Sequence, residues 1–329
     1  MAKSRVRIIV LGGTITMAPS APGAGITPSL TGEDLVAAVP ELAEIAEIEV
    51  ETPFLKPGST LSYADLARVS GMANAALTAG AAGVVVVQGT DTIDETSFLF
   101  DLAGDHPRPI IVTGAMRGAK APGADGNASL LAAVTAAASP RTQGLGALVV
   151  LNDEIHAARL VEKGHTALAS AFVSPGFGPL GHVVEGEARI VLRPAAPGWR
   201  AGPLPAEMPR VPILKPGIGE DGGAVDALVA LGAGGLVVEG MGAGHVPAAF
   251  AEALGEAAKR IPVVLATRVA AGRVFRRTYG APGSEIDLLG RGLVPAGLLS
   301  PHKARLLLSV LVAQGADETT IRAAFDAYD

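Results

Sequence analysis

The fold of this chain is decided by the stretch Val84-Val85-Val86-Val87-Gln88-Gly89-Thr90-Asp91-Thr92. Four consecutive valines are typical of a strand buried on both faces, as in a parallel sheet. The next residues, Ile93-Asp94-Glu95, open a helix whose acidic first turn suits the helix dipole. Because ligands of open α/β sheets bind beyond the carboxyl ends of the strands, Thr90 and Asp91 are candidate site residues.

A second stretch of the same form stands near the start of the chain. Arg7-Ile8-Ile9-Val10-Leu11 predicts a strand, and Gly12-Gly13-Thr14-Ile15-Thr16 follows it. Taken singly, a Gly-Gly pair is typical of a tight turn and a threonine is typical of a helix cap. Two strand ends that each deliver a threonine, Thr14 and Thr90, predict a shared functional site.

The bulk composition excludes several classes of function. Of the 329 residues, 49% are apolar and 18% are charged, which allows one large domain or two ordinary ones. A net charge of −6 disfavours binding to nucleic acid or to an anionic membrane. The lack of cysteine excludes disulfides, thiol catalysis and thiolate metal sites. No apolar run reaches the length of a membrane helix, about 18 residues, and the first residues lead directly into a strand, so we expect a cytoplasmic protein.

Strand and helix patterns alternate along most of the chain. Strands are predicted near 7–11, 45–51, 84–87, 109–113 and 147–151, with helices between them. This alternation predicts right-handed βαβ units and a parallel sheet, hence a larger Rossmann-like α/β domain over 1–193. Five prolines in 194–210 indicate a linker, and the alternation then resumes in a smaller α/β domain over 211–329.

Three stretches lack a regular pattern. In 17–28, three prolines and two glycines argue against regular structure beside Thr14, and a loop of this kind is often a lid. The stretch 152–193 is predicted to be irregular, and 268–297 is predicted to be a long loop region. Asp153-Glu154-Ile155-His156 lacks the histidine pair of the zinc proteases, so no metal is expected.

The motifs resemble those of the bacterial-type L-asparaginases, the asparaginase/glutaminase family. The first is Leu11-Gly12-Gly13-Thr14-Ile15, and the second is Gln88-Gly89-Thr90-Asp91-Thr92. Four further matches follow in the same order as in the family and extend over most of the chain: Thr113-Gly114-Ala115-Met116-Arg117, Ala124-Asp125-Gly126, Gly178-Pro179-Leu180-Gly181 and Lys303-Ala304-Arg305.

The resemblance implies a role for each candidate residue. Thr14 becomes the nucleophile that attacks the side-chain amide carbon, while Thr90, Asp91 and Lys163 form a polar triad. Ser59 and Asp91 hold the α-carboxylate and α-amino groups of the substrate. The resemblance also implies a homotetramer of close dimers, in which each active site borrows an acidic residue from the neighbouring subunit, and it implies no cofactor.

The chain departs from the family pattern at the position of the lid tyrosine. The matching place is close to Ile26, and no tyrosine precedes Tyr63. Tyr63 stands at a predicted helix start, which favours packing over catalysis. Our hypothesis is that Tyr279, in the long C-terminal loop, supplies the missing phenol to a neighbouring subunit.

Other departures concern substrate specificity. Thr60 stands where a glutamine usually follows the binding serine, His245 lies near the position of a contributing asparagine, and Gln88 replaces a histidine. Glu285 is the candidate for the borrowed acid, although a solvated loop glutamate is the alternative interpretation.

The chemistry of the candidate residues agrees with these roles. A threonine hydroxyl is a weak nucleophile that needs a base or a hydrogen-bond relay. Lys163 serves as that base only in its neutral form, and Asp91 can equally serve to orient it. Without the resemblance, the interpretation of Lys163 is a solvated surface lysine. Backbone N–H groups of the two loops could stabilise the tetrahedral intermediate.

The sequence therefore predicts an amidohydrolase that converts L-asparagine to L-aspartate and ammonia through an acyl-threonine. One alternative keeps the chemistry and changes the substrate to glutamine, a D-amino acid or a larger amide. Another is a catalytically silent homologue that binds aspartate-like ligands.

Overall fold

The computed structural model describes residues 3–19, 26–28, 30–104, 106–195 and 198–329. The chain divides into two compact units, Met1–Ala206 and Glu207–Asp329, here called the N-terminal and C-terminal units. The predicted bounds of 1–193 and 211–329 stay a prediction, as does the role of 194–210 as a linker.

The N-terminal unit is an α/β unit. Its strands are β1 (Ser4–Val10), β2 (Met17–Pro19), β3 (Ile26–Pro28), β4 (Ala46–Glu51), β5 (Gly83–Val87), β6 (Ile110–Thr113), β7 (Leu148–Leu151), β8 (Glu154–Ala157), β9 (Glu162–Lys163), β10 (Phe172–Val173), β11 (Gly181–Val184) and β12 (Glu187–Ile190). Its α-helices are α1 (Gly32–Ala37), α2 (Leu42–Ile45), α3 (Tyr63–Thr78), α4 (Ile93–Ala103) and α5 (Gly126–Ala138).

Within the described residues, the main sheet of this unit has eight strands in the order β12-β11-β8-β7-β6-β5-β1-β4. The five strands from β4 to β7 in this order are parallel, as the sequence predicted. β8, β11 and β12 extend the sheet with antiparallel pairs. The sheet is therefore mixed. Its parallel part contains β1 and β5, the strands that precede Thr14 and Thr90.

The prediction that 152–193 is irregular was wrong. β7 and β8 form a hairpin whose two-residue loop is Asn152-Asp153, with φ values of 52° and 59°. Two consecutive positive φ values are typical of the type I′ turn, which matches the twist of the flanking strands. The strands of this region are only two to four residues long, too short for a clear alternating pattern.

The sheet reverses its strand order between β1 and β5. After β1 the chain forms β4 on one side of it, and then β5 on the other side. In open α/β sheets, a crevice for ligands forms at such a switch point, outside the carboxyl ends of the strands. Thr14 follows β1 and Thr90 follows β5, so the topology brings both threonines to this crevice.

The core beneath the switch point is tightly packed. Val84, Val85, Val86 and Val87 are all fully buried. Burying a valine side chain stabilises the fold by about 1.5–3 kcal/mol. Gly83 allows α5 to approach the start of β5, since a Cβ there would lie 2.5 Å from the carbonyl oxygen of Ala137. The strand that precedes Thr90 is therefore closely packed on all sides, which fixes its position.

The segment after Thr14 contains two short strands. β2 pairs antiparallel with β3, from Met17 opposite Pro28 to Pro19 opposite Ile26. The prediction of no regular structure over 17–28 was therefore wrong at both ends, because a two-stranded ribbon tolerates proline where no ladder bond is needed. Residues 20–25 and the side chain of Ile26 lie outside the described residues. The predicted lid, with Ile26 near the place of the family's tyrosine, therefore stays a prediction.

The C-terminal unit is a smaller α/β unit, as predicted. Its strands β13 (Ile213–Leu214), β14 (Leu236–Gly240), β15 (Val263–Thr267) and β16 (Val294–Pro295) form a parallel sheet in that order. Its helices are α6 (Gly223–Ala230), α7 (Ala248–Ala258), α8 (Glu285–Gly290), α9 (Pro301–Ala313) and α10 (Glu318–Asp326).

The predicted loop region 268–297 contains two regular elements, α8 and β16, and was wrong to that extent. α8 has only six residues, which is less than two helical turns and gives no readable periodicity. Its first residue is Glu285. Among the described residues, no helix has both the length and the apolar character needed to cross a membrane.

Candidate active site

Thr14 begins a 3-10 turn, Thr14–Thr16, in the loop that follows β1. The backbone and the Oγ1 atom of Thr16 both donate to the carbonyl oxygen of Gly13, at 2.9 Å and 2.8 Å. The carbonyl of Thr14 accepts the N–H of Met17. These bonds fix the backbone of Thr14 without using its hydroxyl group.

Gly13 packs against the loop that carries Thr90. It has φ 90° and ψ −178°, a conformation open essentially only to glycine. A Cβ atom at this position would lie 2.2 Å from the backbone nitrogen of Gly89. The loop after β1 and the loop after β5 therefore pack backbone against backbone, which places Thr14 beside the turn Thr90–Thr92.

A third loop, which follows β4, joins the first two. The N–H of Lys56 donates to the carbonyl oxygen of Leu11 at 2.7 Å. The Oγ1 atom of Thr92 donates to the carbonyl oxygen of Gly58 at 3.1 Å. Gly58 begins the 3-10 turn Gly58–Thr60, so these contacts bring that turn to the same edge of the sheet.

Ser59 and Thr60, the predicted substrate-binding residues of this turn, are both exposed. The hydroxyl of Thr60 donates to the carbonyl oxygen of Pro57 at 2.9 Å. Part of the hydrogen-bonding capacity of Thr60 is thus used inside its own turn.

Lys163 lies on β9 and reaches the loop after β5. Its Nζ atom donates to Thr90 Oγ1 at 3.0 Å and to Asp91 Oδ1 at 2.6 Å. The Lys163 side chain is 17% exposed, whereas that of Asp91 is 69% exposed. The structure therefore brings together the three residues of the predicted triad, and Lys163 is not a solvated surface lysine.

Gln88 shapes the loop that carries Thr90. Its side chain is buried, and its Nε2 atom donates to the carbonyl oxygen of Gly89 and to Thr92 Oγ1, both at 3.2 Å. Thr92 therefore connects Gln88 with Gly58. The sequence marked Gln88 only as a departure from a motif and gave no role to Thr92.

Glu285, the candidate for the borrowed acid, is fully buried within the C-terminal unit. Its Oε1 atom accepts the backbone N–H groups of Thr278 and Tyr279, at 2.8 Å and 2.7 Å. Its Oε2 atom lies 3.1 Å from His245 Nε2. The alternative interpretation of a solvated loop glutamate was wrong.

Two opposing effects act on the pKa of Glu285. Burial raises this pKa, but the hydrogen bonds from Tyr279, Thr278 and His245 stabilise the carboxylate and hold the pKa below its ordinary value. The carboxylate is therefore the form that the fold supports.

Glu285→Gln is expected to change the pH dependence of stability. Since the pKa of Glu285 is lower in the folded state, its contribution is complete above the unfolded pKa of about 4.3 and is lost as pH falls through the folded pKa. The variant should be less stable than the wild type near neutral pH, and this difference should shrink as pH falls below about 4.3. Urea unfolding across this range measures it.

The control for this prediction is Glu256→Gln, which removes an exposed carboxylate from the same unit. A difference in the free energy of unfolding between wild type and Glu285→Gln that stays constant from neutral to acidic pH contradicts the prediction.

Tyr279 lies beside His245 and is 48% exposed. Its ring meets the His245 ring edge-on, with centroids 5.0 Å apart and an interplanar angle of 84°. The Phe275 ring stacks parallel to Tyr279 at 6.4 Å. Tyr279, His245 and Glu285 thus form one cluster.

Comparison with known proteins identifies the family to which the chain belongs. Residues 5–196 match the family described as Asparaginase, N-terminal, and residues 210–325 match the Glutaminase/Asparaginase C-terminal domain. The chain belongs to the asparaginase family. It is therefore a hydrolase that acts on amide C–N bonds, and the predicted resemblance is confirmed.

The relatives match the chain over nearly its full length. A probable L-asparaginase of Deinococcus radiodurans is 37% identical, with 98% of this chain and 97% of the relative covered. An L-asparaginase of Bacillus licheniformis is 31% identical, with coverage of 94% and 95%. The crystal structure of a probable cytoplasmic L-asparaginase from Campylobacter jejuni superposes with a TM-score of 0.86 at 30% identity, covering 98% of this chain and 99% of that one.

Proposed function

We propose that this asparaginase-family chain hydrolyses L-asparagine to L-aspartate and ammonia through an acyl ester on Thr14. The observation that carries the proposal is the packing of Gly13 on Gly89, which holds Thr14 and Thr90 at the switch point of the sheet. The contact of Lys163 Nζ with Thr90 Oγ1 adds a proton-transfer group at the same place.

In the first half of the reaction, the Thr14 oxygen attacks the side-chain amide carbon of the substrate. The negative charge that develops on the amide oxygen is stabilised by backbone N–H groups of the loops after β1 and β5. The C–N bond then breaks, ammonia leaves with the hydroxyl proton of Thr14, and an ester remains on Thr14.

In the second half, a water molecule attacks the ester carbonyl carbon. Thr90 takes the water proton as its own hydroxyl proton moves to the neutral amine of Lys163, and a proton returns from Lys163 through Thr90 to the Thr14 oxygen as the ester bond breaks. Aspartate is released and Thr14 regains its hydroxyl. Asp91 keeps Lys163 directed at Thr90 through their contact of 2.6 Å.

The same loops provide a place for the amino-acid part of the substrate. The exposed Asp91 carboxylate has an oxygen beyond the one that Lys163 binds, and it is suited to the α-ammonium group. The exposed Ser59 hydroxyl is suited to the α-carboxylate, with Thr60 beside it.

We further propose a homotetramer of close dimers in which Glu285 serves the active site of a neighbour, with Tyr279 and His245 around it. The member of this cluster that supports the proposal is Tyr279, which is 48% exposed and can contact a neighbouring subunit. Glu285 is buried, and it orders His245 and the backbone of Tyr279 behind that surface. A cytoplasmic location is also proposed. The Campylobacter jejuni neighbour is called cytoplasmic, whereas a Haemophilus influenzae relative at 32% identity is called periplasmic.

Ammonia release from L-asparagine by the purified protein tests the proposed function. L-Glutamine, D-asparagine and a larger amide are assayed in parallel, because a Pseudomonas fluorescens relative at 32% identity is called a glutaminase-asparaginase. We expect release mainly from L-asparagine. Preferential ammonia release from another amide would make that amide the substrate in place of L-asparagine. Aspartate binding without any ammonia release identifies a catalytically silent homologue.

Tyr279→Phe is expected to lower kcat by about 10²-fold, the lower end of the range for general acid–base groups. The substitution keeps the ring contact with His245 and removes only the phenol group. Steady-state kinetics with L-asparagine measures the effect, and Tyr63→Phe serves as the control for losing a phenol elsewhere. Full activity in Tyr279→Phe contradicts the assignment.

A further inference from the structure

Lys163 stands on a small ribbon outside the main sheet. β9 pairs only with β10 in the described part of the chain, with Lys163 opposite Phe172 and Glu162 opposite Val173. The N–H of Gly164 also donates to the carbonyl oxygen of Ala171 at 2.7 Å. An isolated two-stranded hairpin is marginally stable in water, so other contacts have to fix the position of Lys163.

The β10 side of the ribbon is tied to the main sheet. Ser174 directly follows β10, and its Oγ atom lies 2.9 Å from Nδ1 of His156 on β8. Both side chains are buried. Burial lowers the pKa of His156 below its ordinary value despite the nearby Glu154, which favours the neutral ring in this bond. This contact fixes β10 but does not itself position Lys163 on β9.

The β9 side is held by a buried carboxylate. Asp94, the second residue of α4, is 8% exposed, and its Oδ2 atom accepts the backbone N–H of Lys163 at 3.2 Å. Its Oδ1 atom accepts the N–H of Glu95 at 3.1 Å. The carboxylate is therefore fixed to its own helix while it bonds to β9.

Lys163 is held at both ends, by Asp94 at its backbone and by Thr90 and Asp91 at its Nζ atom. The short segment 90–94 bonds the Nζ atom through Thr90 and Asp91, and it bonds the backbone nitrogen through Asp94. Because the lysine side chain has four rotatable bonds, contacts at Nζ alone leave its Cα free to move. A second contact at the backbone removes that freedom.

We propose that Asp94 is a positioning residue for Lys163, which sets the placement of the Nζ atom against Thr90. The inference rests on the proposed catalytic role of Lys163. Asp94 acts on the backbone of Lys163 and does not itself transfer protons in the proposed reaction.

The first test compares kcat and KM of Asp94→Ala and Asp94→Asn with L-asparagine. We expect kcat to fall by about 10–10²-fold in Asp94→Ala, since small misplacements of catalytic groups have effects of that size, while KM changes little. Asp94→Asn keeps an acceptor oxygen and is expected to recover most of kcat. The matched control, Glu95→Gln, changes an acidic residue in the same helical turn. Wild-type kcat in Asp94→Ala overturns the proposal.

A double-mutant cycle with Lys163→Met tests whether Asp94 acts through Lys163. We expect Asp94→Ala to have no further effect on kcat once Lys163 is replaced. Independent losses that add in the double variant overturn the proposal, because Asp94 then acts on something other than Lys163.

Hydrogen exchange at the Lys163 amide separates this inference from the proposed function. Exchange is expected to be faster in Asp94→Ala than in the wild type and unchanged in Glu95→Gln. Full activity in Lys163→Met refutes the catalytic role of Lys163 and, with it, the role of Asp94 in that reaction, even where exchange shows that Asp94 holds the backbone. Unchanged exchange in Asp94→Ala refutes the positioning contact itself.

Discussion

Thr14→Ala is expected to lower kcat for L-asparagine by about 10³-fold or more, because it removes the oxygen atom that forms the acyl ester. The hydrogen bonds that fix the Thr14–Thr16 turn involve backbone atoms and the Thr16 hydroxyl, not the Thr14 hydroxyl. The turn should therefore keep its shape in the variant. Loss of activity can then be assigned to the missing hydroxyl.

Two measurements make this prediction specific. The thermal midpoint of unfolding of Thr14→Ala should stay close to that of the wild type, because no structural hydrogen bond is removed. Thr14→Ser, which keeps a hydroxyl at the same position, should retain measurable turnover. A Thr14→Ala variant that releases ammonia at the wild-type rate shows that another group attacks the amide.

Gly13→Ala is expected to abolish activity and to lower the free energy of unfolding by more than about 3 kcal/mol. The new Cβ atom would lie 2.2 Å from the nitrogen of Gly89 and 2.4 Å from its Cα atom, and both are backbone atoms that cannot rotate away. The conformation of Gly13 adds strain for any residue with a Cβ. The two threonine loops must therefore separate.

Gly144→Ala is the matched control for this prediction. Gly144 also has a positive φ, +77°, but a Cβ there would meet nothing within 4 Å. Its loss of stability should be limited to the backbone strain of about 1–2 kcal/mol, with activity retained. Urea unfolding and turnover of both variants provide the comparison. Equal losses in the two variants contradict the close packing of the threonine loops.

The sequence was most informative where a strand ends. The valines of β5 and the apolar run of β1 have no alternative to burial, and the polar residues after them can only lie at the edge of the sheet. The positions of Thr14 and Thr90 followed from that physical constraint together with the family motifs. The strand order that makes this edge a switch point is a property of the whole sheet and was not readable from one segment.

Sequence reasoning failed where segments are too short to show a period, or where a side chain is held by backbone groups. The strands β8 to β12 and the helix α8 have too few residues to show a period, and these strands are stabilised by pairing. The burial of Glu285 depends on N–H groups of a neighbouring loop, which composition does not reveal.

Asp94 shows the same limit at the active site. Its place in the first turn of a helix is explained by the helix dipole alone, so residue identity does not point to a role for Asp94 at the site. Its contact is with the backbone nitrogen of Lys163, 69 residues away, and a backbone partner leaves no trace in residue identity.

The role of Thr14 is tested by identifying the residue that carries the acyl group. The protein is mixed with L-asparagine, quenched with acid within the first turnover, digested, and mapped by mass spectrometry. An aspartyl ester on Thr14 is the predicted result. An ester on Thr90 or on any residue other than Thr14 contradicts the claim that Thr14 is the nucleophile.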